Sequence, residues 1–343
     1  MPKVELHLHL EGSIRPQTAL ELMRRNDPSN APANLYDVKK IYRFDDLSEF
    51  VQGMRNVSDN IQNLADLQQV TLELFHSLIE QNVQYVEYDC AVQKYIDLGF
   101  SLEEIVDALY RCSLEFPVKN RLKSNLVINL QRSHDPAKVS ALVEQVVELD
   151  HPYIVGIGLS GDESAYPQSL FVEAFQIARQ AGLHRTVHAG EAAGAASVWD
   201  AITQLHAERI DHGTRAIDDY KLVRYLQEHQ IPLTQCLSSN INLNVVDGYE
   251  NHPFGEFYKR GLCVTLNTDD PQVFGISLTQ EFEIAAKYFN LGFDDLARIA
   301  RNGITASFES EQNKLFYHKR IEKELTFLEK EIQHEYVNQV STI

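Results

Sequence analysis

Cysteine is scarce in this chain and badly spaced for joint work. Cys90, Cys112, Cys236 and Cys263 lie far apart, with no CxxC pair. That excludes a disulfide framework and a thiolate zinc site, leaving reduced, buried thiols. Positive charge is short as well: 31 Lys and Arg stand against 49 Asp and Glu, a formal net charge of −18. A field of that sign repels phosphate backbones and anionic lipid, so neither nucleic acid nor a membrane surface is expected as a partner. No apolar run approaches the ~20 residues of a membrane span. The phosphate-cradling patterns GxGxxG and GxxxxGK[ST] are absent, which weighs against doubly wound nucleotide-binding folds. Glycine and proline, 16 and 11 in number, are too few for a low-complexity chain. Met1-Pro2-Lys3 runs straight into Val4-Glu5-Leu6-His7 without a leader-like stretch, and the expected compartment is the cytoplasm.

What is present is alternation. With 44% hydrophobic residues in 343, the chain can fill a large core. Eight short apolar or β-branched runs are bounded by turn residues: Lys3 to Leu10, Val83 to Cys90, Lys123 to Leu130, Ile154 to Gly161, His184 to Gly190, Arg209 to Gly213, Ile231 to Ser239 and Leu262 to Asp270. Helical periodicity separates them, so the pattern predicts a (β/α)8 barrel (TIM barrel). No linker or internal repeat divides the sequence, and residues 1–343 are expected to form one domain. The longest excursion, about residues 11–82, follows the first run. It contains Arg43 to Val51 and a helical pattern from about Val57 to Ile79, and it is expected to act as a lid over the barrel mouth. From Lys314 to about Val340, the apolar residues Leu315, Phe316, Ile321, Leu325, Leu328 and Ile332 predict an amphipathic helix outside the barrel.

Chemistry is expected at the carboxyl ends of the strands. His7 and His9 stand two apart on the first run, so both face one side while Leu6, Leu8 and Leu10 face the other. Two satisfied core histidines are the plain alternative, but a shared metal satisfies both rings where little water can. Glu5 has the same parity and no evident role. The fifth run ends at His188-Ala-Gly-Glu191, the sixth at Asp211-His212-Gly213 and the eighth at Asp269-Asp270-Pro271. Three histidines and an aspartate at strand ends make a nitrogen and oxygen set suited to zinc or a similar divalent ion.

These segments resemble the adenosine deaminase family: Val4-Glu-Leu-His-Leu-His-Leu-Glu-Gly-Ser-Ile-Arg-Pro16, Gly158 to Glu163, His184 to Glu191, Arg209 to Gly213, Cys236 to Asn240 and Leu266 to Pro271. The resemblance extends to the helices over Leu278 to Ala286 and Ala300 to Phe308. It implies a zinc-dependent barrel hydrolase of the amidohydrolase superfamily that deaminates C6 of an adenine ring in a purine nucleoside. It implies one Zn2+ per chain on His7, His9, His188 and Asp269. Glu191 would protonate N1, His212 would partner the attacking water, Asp270 would meet N7 and the Gly161 N–H would meet N3. The fourth strand lacks the lysine that often bridges two metals, so one ion is expected.

Three departures concern the sugar side. Glu11 stands where adenosine-specific members usually carry aspartate, and it is expected to face the mouth and accept a hydrogen bond from a ribose hydroxyl. Gly158 replaces an aspartate common before the Leu-Ala-Gly-Asp-Glu of relatives, and Val86 to Val92 lacks Arg-Tyr-Ser-Pro. Ser160-Gly-Asp-Glu163 resembles the nucleoside branch, so adenosine and deoxyadenosine are expected ahead of free adenine or a modified adenine nucleoside. A metal-dependent phosphoesterase is an alternative, but its site needs several positive groups, and the motif ends offer mainly Arg132 and Arg215, set among Glu11, Glu191, Asp269 and Asp270. A non-catalytic zinc-binding protein is the third reading.

Overall fold

Strands form on all eight predicted runs: β1 (Lys3–Glu5), β2 (Val83–Cys90), β3 (Lys123–Gln131), β4 (Ile154–Ser160), β5 (His184–Ala189), β6 (Arg209–His212), β7 (Leu233–Gln235) and β8 (Val264–Leu266). The computed structural model describes residues 1–44, 47–115 and 122–340. Every adjacent pair from β1–β2 to β7–β8 is parallel, in sequence order. The ring is drawn together beyond the ends of β8 and β1, where Leu8 bridges Asp269. There the His9 N–H donates to the Asp269 carbonyl at 2.9 Å and the Asp269 N–H to the His7 carbonyl at 3.0 Å. The chain is a (β/α)8 barrel, and its seam lies among the residues singled out for chemistry.

β1, β7 and β8 each cover only three residues, well short of the apolar runs that hold them. Past Glu5 the backbone continues through bridges and turns, so the two-residue alternation loses control of side-chain direction after about His9. At the opposite end of the barrel, Arg209 is fully buried, bonded to Glu87 at 2.5 Å, and its guanidinium lies 4.0 Å over the Phe308 ring. A buried charge is tolerable because it is paired and stacked.

Among the described residues between β1 and β2 run four α-helices: α1 (Pro16–Asn26), α2 (Leu35–Ile41), α3 (Leu47–Ser58) and α4 (Leu64–Glu80). The continuous helix expected from Val57 to Ile79 is broken between Ser58 and Leu64. Asn63 takes an extended backbone and its side chain accepts the Asp66 N–H at 2.9 Å, starting α4 afresh. An asparagine that caps is worth more to the chain than one inside a helix. Of the Arg43 to Val51 stretch, residues 45 and 46 lie outside the described residues.

The last helix, Glu311–Val340, is present, but its buried stripe is Tyr317, Ile321 and Leu325, packed with Val4, Leu6, Tyr85 and Ile304. The predicted contacts Leu315, Phe316 and Ile332 are instead exposed by more than half. The register is set by the four-residue spacing of Tyr317, Ile321 and Leu325, which puts Leu315 and Phe316 off that face. All four cysteines are free and buried. Among the described residues, no helix is long and apolar enough to cross a membrane.

Candidate active site

At the mouth of the barrel three imidazoles turn the same nitrogen toward one point. His188 Nε2 lies 3.1 Å from His7 Nε2 and 3.2 Å from His9 Nε2. Asp269 Oδ1 completes the group, 3.4 Å from His7 Nε2 and 3.2 Å from His9 Nε2. Among the described residues, two overlapping sets have the spacing to hold a metal ion: His7, His188, His212 and Asp269, and His9, Asp269 and Asp270.

The outer nitrogens decide which form these rings take. His7 Nδ1 faces the Thr234 hydroxyl at 3.1 Å and the Thr234 carbonyl at 3.4 Å, and the carbonyl can only accept. His188 Nδ1 faces the Asp211 carboxylate at 3.4 Å. Both contacts hold the proton on Nδ1 and leave Nε2 as a lone pair aimed inward, the arrangement metal-binding histidines use. His9 Nδ1 faces the Asn129 amide at 3.3 Å, and that amide also meets the Ser160 hydroxyl at 2.8 Å. A hydroxyl donates or accepts, so Asn129 can offer its oxygen to a His9 Nδ1–H. Ser239 donates to Asp269 Oδ2 at 2.6 Å, fixing the carboxylate with its other oxygen toward the rings. The donor set therefore fits a divalent ion of zinc type.

His212 and Asp269 both sit at φ of 62°, a left-handed conformation that costs free energy in a residue with a Cβ. It turns each side chain out of the strand direction and over the mouth. Asp270 is pressed against Gly12: a Cβ there would fall 1.9 Å from Asp270 Oδ1, so only glycine fits. Gly161, at φ of 102°, ends β4 with an exposed backbone. Glu191 Oε1 lies 3.4 Å from His212 Nε2. Burial, then the Asp269 and Glu163 charges, push the Glu191 carboxyl well above its ordinary range. Burial and Asp269 push Asp270 the same way.

Glu11 stands at the mouth end of β2. It begins a 3-10 turn, and its Oε1 accepts from the Ala91 N–H at 3.1 Å and the Tyr95 hydroxyl at 3.4 Å, docking it on the end of β2. Asp89, within the departing Val86 to Val92 segment, and Gly158 share one space. Asp89 Oδ1 lies 2.8 Å from where a Cβ of Gly158 would stand, so the carboxylate from β2 fills the space a side chain on β4 would take.

Several residues that shape the site carried no assigned role in the sequence. Glu5 accepts from the Thr268 N–H and hydroxyl at 3.2 and 3.0 Å, holding the end of β8, and burial raises its carboxyl to about 8. Glu163, Asp211, Ser239 and Asn240 lie inside the motifs quoted above, which was the available signal. Thr234 and Asn129 lay in apolar runs with nothing to mark them. Of the two arginines singled out in the sequence, Arg132 is fully buried, donating to the Tyr166 and His188 carbonyls at 2.7 and 2.8 Å, and Arg215 is half exposed, its Nε pairing with Asp218 at 2.7 Å.

The family model described as adenosine deaminase matches residues 2–324. An adenosine deaminase of Clostridium kluyveri is 33% identical over 92% of this chain and 92% of its own. An aminodeoxyfutalosine deaminase of Streptomyces avermitilis is 35% identical over 90% of this chain and 87% of its own. Among solved structures, an adenine deaminase from Arthrobacter aurescens superposes with a TM-score of 0.89 at 30% identity, covering 96% of this chain and 99% of that one.

Proposed function

The chain belongs to the adenosine deaminase family, and from that premise we propose that it hydrolyses the C6 amino group of adenosine and 2′-deoxyadenosine. Water and nucleoside give inosine or deoxyinosine and ammonia. The observation that carries the reading is the inward convergence of three Nε2 atoms and Asp269 beside a carboxyl that burial keeps protonated.

His7, His9, His188 and Asp269 would hold one zinc ion, which supplies a Lewis acid that lowers the pKa of a bound water from about 15.7 toward ~7. The chain's own groups do the rest. Glu191, protonated, delivers a hydrogen bond and then a proton to N1 as electrons move onto the ring. Asp270 lies where it can meet N7. N7 is only an acceptor, so Asp270 serves it in the protonated form its burial favours. The Gly161 N–H serves N3 from a turn with no side chain in the way. His212 faces the attacking oxygen.

The docked position of Glu11 favours a second reading for the sugar side, a modified adenine nucleoside. With Oε1 held by Ala91 and Tyr95, Glu11 shapes the wall more than it reads a hydroxyl, and the relative from Streptomyces avermitilis acts, by name, on aminodeoxyfutalosine. Comparing kcat/KM for adenosine, deoxyadenosine, adenine and adenosine 5′-phosphate separates these. The nucleosides should lead, because free adenine forgoes the sugar contacts and a phosphate sets negative charge among Glu11, Asp269 and Asp270. A preference for adenine or the nucleotide overturns the nucleoside reading and leaves a 6-aminopurine deaminase.

A further inference from the structure

A chain of hydrogen bonds leads from an ordinary backbone amide to His212, and each link allows only one polarity. The Phe254 backbone N–H, which can only donate, points at His252 Nδ1 at 3.1 Å. His252 Nδ1 is therefore the accepting nitrogen, and in the neutral ring the proton must be on Nε2. Burial lowers the His252 pKa to about 3, so the ring is neutral at ordinary pH. His252 Nε2–H then donates to Asn240 Oδ1 at 3.0 Å, and the Thr214 hydroxyl donates to the same oxygen at 2.7 Å. With its oxygen so engaged, Asn240 can turn only its NH2 toward His212 Nδ1, 3.2 Å away. Turning the amide over would set NH2 against the His252 N–H. His212 Nδ1 thus accepts, and its proton belongs on Nε2.

We infer that Asn240 and His252 are positioning residues that hold His212 in the Nε2–H tautomer, so that His212 meets the reacting centre as a hydrogen-bond donor. Its surroundings agree. His212 Nε2 is buried without a hydrogen-bond partner, 3.8 Å from Oδ2 of the Asp269 carboxylate, and a group facing that charge gains by carrying a proton. A donor there stabilises negative charge developing on the oxygen that attacks the ring. A ring fixed in this form has no lone pair on Nε2 with which to take the water's proton. The catalytic consequence rests on the deaminase reading; the tautomer does not.

The test is nitrogen NMR of histidine-labelled, zinc-loaded protein at neutral pH, with the His212 signals assigned by their loss in His212→Gln. The expected pattern is a protonated Nε2 and an unprotonated Nδ1. In Asn240→Asp the Thr214 and His252 donors keep an oxygen to bond, but the other oxygen faces His212 and accepts, so the proton should move to Nδ1. His252→Leu frees the Asn240 amide to turn, because the Thr214 hydroxyl can donate or accept, and should give a mixture. If Asn240→Asp does not fold, the unmodified spectrum and His252→Leu still decide. In Asn240→Asp, kcat should fall about 10²-fold with KM little changed. An Nδ1–H tautomer in the unmodified protein, or an unchanged His212 pattern in either variant, overturns the inference. Absence of turnover in the unmodified protein with the expected spectrum strikes the deaminase reading alone.

Discussion

Glu163 Oε1 accepts the backbone N–H of Glu191 at 2.7 Å, joining two carboxylate residues that arrive from different strands. The same side chain accepts from the Gly190 and Ala193 N–H groups, each at 2.9 Å, and from the Ser197 hydroxyl. One buried carboxylate thus collects four donors from the segment that carries Glu191. Because Glu163 stands two residues beyond Gly161, it also ties the N1 side of the proposed ring site to the N3 side.

Removing that tie should cost both order and rate. In Glu163→Ala the three N–H groups and the Ser197 hydroxyl lose their acceptor inside the protein, and each such loss costs about 1–3 kcal/mol. Thermal melts should show destabilisation of about 3 kcal/mol or more, and kcat should drop by about tenfold or more at saturating metal. A variant with the melting temperature and kcat of the parent would show that the loop holds Glu191 without Glu163.

Glu191→Gln should retain the metal and lose about 10²-fold or more in kcat, since an amide keeps the shape and cannot deliver the carboxylic proton. The pH dependence has a definite sign. The raised carboxyl is the active, protonated form below its pKa, so the rate that depends on it falls as pH rises through that pKa. Turnover of Glu191→Gln near that of the parent, with the metal in place, would remove Glu191 from the proton step.

Gly158→Ala should destabilise the barrel by about 1–3 kcal/mol, because the new methyl would stand 2.8 Å from Asp89 Oδ1. Combined with Asp89→Gly the penalty should largely disappear, and denaturant melts of the two single variants and the double one measure that coupling. Strict additivity would mean that the two positions do not share the space.

The sequence disclosed the barrel because strands buried on both sides must be short and apolar and the helices between them periodic; all eight runs were visible for that reason. The convergence of His7, His9, His188 and Asp269 was legible because strand ends of a barrel meet at one face. Side-chain direction was legible only where regular structure persisted. His7 and His9 follow their parity; Glu11, two residues further on, lies in a turn, and its contacts at the mouth end of β2 with Ala91 and Tyr95 come from the turn and not from the strand alternation. The supporting groups were hidden for a different reason. Thr234 and Asn129 act through contacts with partners far along the chain, which no local pattern encodes. The Tyr317, Ile321 and Leu325 stripe was obscured because Leu315 and Phe316 are more apolar than the tyrosine that is buried beside them.

Deamination of adenosine by protein stripped of metal and then titrated with zinc tests the central claim most directly. Ammonia release or the ultraviolet change on conversion to inosine should be absent without metal and should rise to a plateau at one equivalent per chain. His188→Ala, which removes one of the converging Nε2 atoms, should fail to recover at that ratio. Activity that needs two equivalents, or no conversion of adenosine at any zinc level, would contradict the account.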